Sequence, residues 1–561
     1  MANKKIFIGV AWPYVNGDLH IGHLAGYLLP ADFCARFHRK IGDEVLMVSG
    51  SDCNGTPVAL EAEARKIAPA EVVALYHPKN LRLFEQYGIS FDNYTTTITE
   101  NHAATVQDVF VKLAQSGYIS KGSSKQYYSA AQSKFLPDRY VEGKCPHCGC
   151  EDARGDQCDA CGRVLEQGEL INPKSKLSGA AVTVRTSEHY YLDLKKLEPF
   201  LKEYAAKTGP SWRPWIYSET LGWLAKGLAP RCITRDMDWG IRIPVERLSE
   251  NLRIANCENK RIYVWFDAVI GYLSASKEWS QEKWKDFWYA GAEAKHYYFM
   301  GKDNLFFHTL LWPGQLHAYD EKLHLPDFPS INNFLNLEGR KFSKSRGIIV
   351  DSDYIGRAYG VDLVRFYMAL IMPETGDSNF AWQHFTETAN SVVIGTYGNF
   401  INRILKLASK APPPAGFVPS PEVRAVTDRL VKKAYAQLSN CEFKAYAWTL
   451  AEISDFGNKY VDRVKPWAIK DEAQKANEIA NLLFLVLALA MCSEPLIPQT
   501  CAALYEMLGV KADKWPEENP ADYLLSLMSS LKIGEPKPLF AKIPPEAAAE
   551  EKAKLNLAPA V

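Results

Sequence analysis

Apolar residues stand in short unbroken blocks near the N-terminus and at spacings of three and four near the C-terminus. Ile6-Phe7-Ile8-Gly9-Val10 and Glu44-Val45-Leu46-Met47-Val48-Ser49-Gly50 have strand length, and residues 23–41 and those from Pro57 onward have helical spacing. Continuous apolar strands alternating with helices predict a parallel sheet covered on both faces. Such sheets bind ligands at the carboxyl ends of their strands. Ala11-Trp12-Pro13-Tyr14 and Gly50-Ser51-Asp52 fall at such ends. The rhythm breaks between residues 116 and 230, which read as an insertion of shorter β-like pieces between two halves of one fold. It resumes at Arg261-Ile262-Tyr263-Val264-Trp265-Phe266-Asp267 and at His296-Tyr297-Tyr298-Phe299-Met300-Gly301. Residues 386–535 have helical spacing, interrupted by a loop at Pro412-Pro413-Pro414. The apolar run 482–492 is too short to cross a bilayer and is expected as a buried helix. The tail from 536, rich in Pro, Ala, Glu and Lys, is expected to be partly extended.

Composition narrows this picture only a little. At 561 residues the chain is too long for one domain, and 47% hydrophobic with 23% charged residues is ordinary for a globular protein. The formal net charge is zero, so any contact with nucleic acid must come from local patches. No signal-peptide pattern precedes the first strand. Of the 12 cysteines, five crowd between Cys145 and Cys161 and the others are scattered in apolar contexts. That is the pattern of a metal site in a reducing compartment, and the cytoplasm is the expected location.

Two short motifs carry the chemistry. His20-Ile21-Gly22-His23 opens a helix directly after the first strand and its loop. A helix N-terminus offers N–H groups and a favourable dipole to phosphate, and two histidines three apart share a face of the first turn. An isolated H-x-x-H reads more readily as a pair of capping or packing histidines. Far along the chain lies Gly339-Arg340-Lys341-Phe342-Ser343-Lys344-Ser345-Arg346-Gly347, a basic loop flanked by glycines whose cations suit the β- and γ-phosphates of ATP. Alone it would read as a solvated basic loop. Together the motifs describe two halves of one ATP site.

The pair resembles the H-I-G-H and K-M-S-K-S signatures of class I aminoacyl-tRNA synthetases. Neighbouring segments are similar to those of the methionyl enzymes: Ala11-Trp12-Pro13-Tyr14-Val15-Asn16-Gly17, Asp52-Cys53-Asn54-Gly55-Thr56-Pro57, Tyr263-Val264-Trp265-Phe266-Asp267-Ala268-Val269-Ile270-Gly271-Tyr272, and Gly301-Lys302-Asp303-Asn304-Leu305-Phe306-Phe307-His308. The resemblance implies a Rossmann-type α/β catalytic domain split by a zinc-knuckle insertion and followed by an α-helical bundle. It implies ATP, with Mg²⁺, bound by His20, Gly22, His23, Gly301, Asp303, Lys341 and Lys344. His20, His23, Lys341 and Lys344 are the catalytic group, with Lys344 first among them. L-Methionine would be held by Ala11, Trp12, Tyr14, Asp52, Trp265, Ala268, Tyr272, Asn304, Phe307 and His308. The physical chemistry agrees: an α-ammonium wants a fixed carboxylate, and a polarizable thioether wants aromatic and small apolar walls. His308 is expected to donate a weak contact near sulfur. Phe342, Trp12, Asn54 and Val269 depart from the family pattern, where methionine, leucine, histidine and proline are usual.

Cys145-Pro146-His147-Cys148 and Cys158-Asp159-Ala160-Cys161 form C-x₂-C-x₉-C-x₂-C. Two tight chelating turns of this kind close a four-thiolate structural zinc site, with Cys150 and His147 as spectators. In the helical region, Asn399 and Arg403 lie four apart on one helical face, and Trp467 follows Pro466 near a helix end. By resemblance these three contact the anticodon of tRNA(Met), initiator and elongator. The expected domains are 1–115 and 231–325 for the two catalytic halves, 116–230 for the insertion, 326–385 for the signature loop and stem-contact region, 386–535 for the anticodon-binding bundle and 536–561 for the tail. No room remains after Phe540 for a dimerising barrel, so a monomer is expected. Two alternatives stand beside this reading: a sister synthetase for leucine, isoleucine, valine or cysteine, and a non-catalytic tRNA-binding paralogue.

Overall fold

The computed structural model describes residues 4–131, 134–137, 140–155, 158, 161, 165, 168–176, 178–289, 291–342, 347–409 and 413–555. Five parallel strands form the central sheet: β1 (Lys5–Val10), β2 (Glu44–Ser51), β3 (Asn93–Thr96), β4 (Ala294–Gly301) and β5 (Phe328–Asn332). Their order is β5-β4-β1-β2-β3, with every pairing parallel. The chain winds away from β1 in both directions, so a crevice opens at the carboxyl ends of β1 and β4. Ile6, Phe7, Ile8 and Val10 are fully buried, as a strand covered on both faces requires.

After β1 the chain turns into a helix that starts at Ile21–His23, widens to a π turn at Leu24–Leu28 and continues as Leu29–Ile41. It stops at Gly42, whose left-handed backbone (φ 95°) caps the last carbonyls. The expected return of the rhythm at residues 261–267 takes another form. Lys260–Ile262 is a short strand paired antiparallel to Thr234–Asp236, outside the central sheet, and Val264–Trp279 is a helix. Its run of apolar residues reads like a strand because the helix is packed on nearly every side, which removes the amphipathic signature.

The insertion enters as an antiparallel sheet of Ile119–Ser129, Lys134–Leu136, Thr183–Leu192 and Arg231–Cys232. This sheet runs to Cys232, two residues past the expected boundary. A small three-stranded sheet (Val141–Lys144, Ala153–Arg154, Ile171–Ser175) carries the cysteines. Beyond Trp382 the chain is helical, chiefly Asn399–Ala408, Pro421–Ser439, Phe443–Val464 and Glu472–Ser493. The run 482–492 lies inside the last of these. Among the described residues Glu472–Ser493 is the one helix long and apolar enough to cross a membrane, and it is mostly buried in the bundle. The tail is less extended than its composition suggests, since Ala547–Ala553 is a helix. Glu551 there accepts from the hydroxyls of Tyr354 and Tyr359.

One buried side chain joins these parts. Arg365, in the helix Val361–Leu370, donates to Asp32 Oδ2 (2.7 Å), to the carbonyl of Tyr87 (2.9 Å), and to the carbonyls of Leu496 (2.7 Å) and Pro495 (3.2 Å). Both Arg365 and Asp32 have no exposed surface. Burial alone would raise the Asp32 carboxyl, but Arg36 and Arg365 outweigh it and hold the group below the usual carboxylate range. Removing one member of such a pair leaves a buried charge without its partner. Arg365→Ala is therefore expected to lower stability by about 3–5 kcal/mol, read by chemical denaturation. The unfolding of the helical bundle should part from that of the sheet.

Candidate active site

A cavity of about 530 Å³ lies at the carboxyl ends of β1, β4 and β5. Its floor is made by two strand ends that pair beyond the regular sheet. Asp52 N–H donates to the Pro13 carbonyl (2.8 Å), and Val15 N–H to the Asp52 carbonyl (3.0 Å). This pairing fixes Tyr14 beside Asp52, and Ala11 and Trp12 line the same floor. Trp12 fits because two glycines make way. A Cβ at Gly50 would lie 2.2 Å from its ring, and one at Gly271 would lie 2.7 Å away.

His20 and His23 line one side, and they also cap their own helix. His20 Nδ1 accepts from Gly22 N–H (3.1 Å), and His23 Nδ1 accepts from His20 N–H (3.1 Å), a capping box built from imidazoles. The capping role and the site role thus belong to the same residues. With Nδ1 of His20 accepting, the neutral ring carries its proton on Nε2. Gly22 is tight as well, since a Cβ there would lie 2.9 Å from the His20 ring.

The second motif arrives over these histidines. Phe342 stacks on His20 with ring centroids 4.5 Å apart and planes 7° from parallel, and Lys341 lines the cavity beside it. Lys344 lies outside the described residues. The loop is entered through Glu338 and Gly339 and left through Gly347, all in left-handed backbone.

The opposite wall comes from the helix Val264–Trp279 and the segment after β4. Trp265, Ala268, Val269, Tyr272, Gly301, Asp303, Asn304 and His308 line it. Phe307 does not. A π turn at Phe307–Leu311 sets it one layer back, against Trp265 (ring centroids 4.1 Å), where it supports the wall from behind. The expected donation from His308 toward sulfur also changes. His308 Nδ1–H donates to the Asn304 carbonyl (3.0 Å), so Nε2 accepts from the Tyr272 hydroxyl (2.7 Å). Burial holds this ring neutral by pushing its pKa down to about 4. No donor is left for a ligand, and the Tyr272 side chain is what His308 positions.

Burial raises the carboxyls of Asp52 and Asp303, the latter partly offset by hydrogen bonds from its own backbone and from Asn304, and by Lys302. Both face a mostly apolar cavity and suit a cationic or hydrogen-bonding ligand. Gly26, Tyr27, Asn333, Phe334, Leu335 and Asn336 also line the cavity and were not anticipated. The asparagine segment follows the carboxyl end of β5, so the strand-end rule applied to that strand would have found it. Gly26 and Tyr27 enter through the π turn at Leu24–Leu28, for which the sequence has no local signal.

Two further groups lie elsewhere. The Sγ atoms of Cys145, Cys148, Cys158 and Cys161 are all within 4.8 Å of one another, with Cys145–Cys161 at 3.9 Å and Cys148–Cys158 at 3.6 Å. Thiolates around a tetrahedral zinc would stand about 3.8 Å apart, so the set could hold such an ion. Cys150 contributes its carbonyl, which accepts from Cys145 N–H (2.7 Å). In the helical bundle, the Arg403 guanidinium lies 4.9 Å from the Trp467 ring centre and pairs with Asp462 (3.0 Å). Trp467 is 52% exposed, high for an indole, and Asn399 is exposed one turn before Arg403.

The chain is similar to known proteins over its whole length. Residues 6–405 match the family "tRNA synthetases class I (M)", and 414–558 match the "Anticodon binding domain of methionyl tRNA ligase". The methionine–tRNA ligase of Roseiflexus castenholzii is 40% identical over 596 residues, covering 98% of each chain. That of Dehalococcoides mccartyi strain CBDB1 is 40% identical over 571 residues, covering 99% of this chain and all of its own. The Mycobacterium tuberculosis methionyl-tRNA synthetase in complex with methionyl-adenylate shares the fold, with a TM-score of 0.75 at 21% identity over 96% of this chain and 99% of that one.

The glycine cradle of Trp12 gives a direct test. Gly271→Ala should cost about 1–3 kcal/mol of stability in thermal denaturation, because the new Cβ meets only the indole. Adding Trp12→Leu should recover most of that loss.

Proposed function

The chain belongs to the methionine–tRNA ligase family of class I aminoacyl-tRNA synthetases, and on that premise we propose how its residues divide the work. It is an ATP-dependent ligase. A methionine carboxylate oxygen attacks the α-phosphorus of ATP, the bond to the bridging oxygen breaks, and pyrophosphate leaves as methionyl-adenylate forms. A hydroxyl of the 3′-terminal ribose of tRNA then attacks the activated carbonyl, and AMP leaves. The observation that carries the assignment of roles is the meeting of the two motifs: Phe342 rests on His20 at one end of a cavity whose floor holds Asp52.

In this reading Asp52 takes the α-ammonium of methionine, and Trp12, Tyr14, Trp265, Ala268 and Tyr272 surround the side chain. His20 and His23 face the triphosphate with Gly22 at the helix start, Gly301 and Asp303 face the nucleoside side, and Ala11 and Asn304 stay with methionine. Lys341 and Lys344 neutralise charge that builds on the phosphates as the leaving bond breaks; fixed donors of this kind are worth about 3 kcal/mol each. Mg²⁺ comes with the nucleotide. The cysteine set holds one structural zinc. Asn399, Arg403 and Trp467 read the anticodon, an exposed indole stacked with a guanidinium being a platform for an unpaired base. The domains then follow the chain: catalytic halves on either side of the insertion, a signature-loop region over 326–385, and the anticodon bundle. We extend the reading to a cytoplasmic monomer serving initiator and elongator tRNA(Met), which sedimentation and charging of the two tRNA types test.

Methionine-dependent ATP–pyrophosphate exchange is expected, with no comparable rate for the other amino acids. Lys341→Ala and Lys344→Ala should each lower its kcat by about 10²–10³. Trp467→Ala should leave exchange intact and slow tRNA charging. Exchange at wild-type rate in the lysine variants would refute the assignment of the loop. For the knuckle, Cys145→Ser or Cys158→Ser should reduce bound zinc from one equivalent toward none by atomic absorption. Retention of a full equivalent would refute the zinc site.

A further inference from the structure

Behind Asp52, away from the cavity, lies a second acid that the chemistry above does not use. Asp267, on the helix Val264–Trp279, is fully buried. Its Oδ2 accepts from the Asn54 side-chain amide (3.0 Å), while its Oδ1 has no hydrogen-bond partner among the described residues. Asn54 is buried too. Its amide also donates to the Thr97 carbonyl (3.3 Å), and its backbone N–H donates to Asp52 Oδ1 (3.4 Å). One asparagine thus touches both carboxyls. The titratable groups that face the cluster are the two acids and the Cys53 thiol between them, whose sulfur donates to the Ser51 carbonyl (3.2 Å). Among the described residues, no lysine, arginine or histidine bonds to or pairs with either acid.

Two ionised carboxyls in one dry site without a cation are far costlier than one. An ionised oxygen with no partner is costlier again than a neutral one. We propose that Asp267 is a positioning residue that holds a proton for Asp52, so that the cluster carries a single negative charge and an incoming ammonium settles that charge on Asp52. Burial raises both acids, and Asp52 raises Asp267 further, in agreement with this division. The uncharged carboxyl still accepts from Asn54, which in turn steadies Asp52. The inference rests on the proposed role of Asp52 in binding the substrate amine.

Its test is methionine-dependent pyrophosphate exchange by the full chain between about pH 5 and pH 9. Asp267→Ala, which takes away one of the two acceptors of the Asn54 amide and leaves it the Thr97 carbonyl, is expected to raise the KM for methionine about tenfold, with a smaller effect on kcat. Asp267→Asn keeps a neutral acceptor and is expected to recover most of that loss. Because Asp267 is uncharged while Asp52 ionises, the acid limb of kcat/KM in Asp267→Asn should stay within about half a pH unit of its wild-type position. Should Asp267→Asn not fold, infrared spectroscopy of the wild-type chain at neutral pH is expected to show a protonated buried carboxyl that Asp267→Ala lacks, and the absence of that band from the wild type would count against the inference. An acid limb that moves a full pH unit lower in Asp267→Asn, as the loss of an ionised neighbour requires, or an Asp267→Asn variant as impaired as Asp267→Ala, would overturn the inference. Loss of methionine-dependent exchange from the wild-type chain would overturn the substrate reading beneath it, and the two failures are therefore told apart.

Discussion

The geometry of this molecule depends on how Arg365 is buried. A guanidinium out of water needs a counter-charge and an acceptor for its remaining N–H groups. Asp32 gives the first, and three backbone carbonyls from two other parts of the chain give the second. These acceptors belong to the helix behind β1, to the end of the helix Pro69–Tyr87, and to the turn after Glu472–Ser493. Because each must be in place for the charge to be tolerated, the sheet, the region after the signature loop and the bundle are held in one mutual arrangement.

That arrangement aims the strand ends at one another. Asp52 is useful only because Pro13 and Val15 hold its backbone, which turns its carboxyl into a cavity floored by tryptophan and tyrosine. The same dryness that strengthens a carboxylate–ammonium contact makes every extra charge expensive. The site meets this cost with neutral groups. His308 is held uncharged by burial, which outweighs the opposing effect of its bond to the Asn304 carbonyl, and Tyr272 is oriented by it. The basic motif is kept apart, on a loop reached through left-handed backbone at Glu338 and Gly339. Asp52 and Lys341, far apart along the chain, thus line one cavity.

Much of this was legible one segment at a time. The apolar blocks of β1, β2 and β4, the cysteine spacing and the two motifs each follow from a local rule, and the structure gathers the motif residues it describes around one cavity. Where reading failed, the rule itself was ambiguous. Residues 264–267 read as part of the returning strand because a helix buried on most sides carries no amphipathic stripe. Phe307 looked like a wall residue because nothing local announces a π turn, which rotates side chains relative to an ordinary helix. His308 looked like a free donor because its partners, Tyr272 and Asn304, are fixed by packing.

By itself the sequence determined the class of fold, the kind of chemistry and a set of candidate side chains for it, since short-range spacing and residue type suffice for those. The tertiary structure alone decided which groups touch: the stacking of Phe342 on His20, the glycine slot for Trp12, and the single asparagine between Asp52 and Asp267. Those contacts join positions far apart along the chain. Their hydrogen-bond directions and charge states depend on burial, a property that no stretch of sequence possesses until the rest has folded around it.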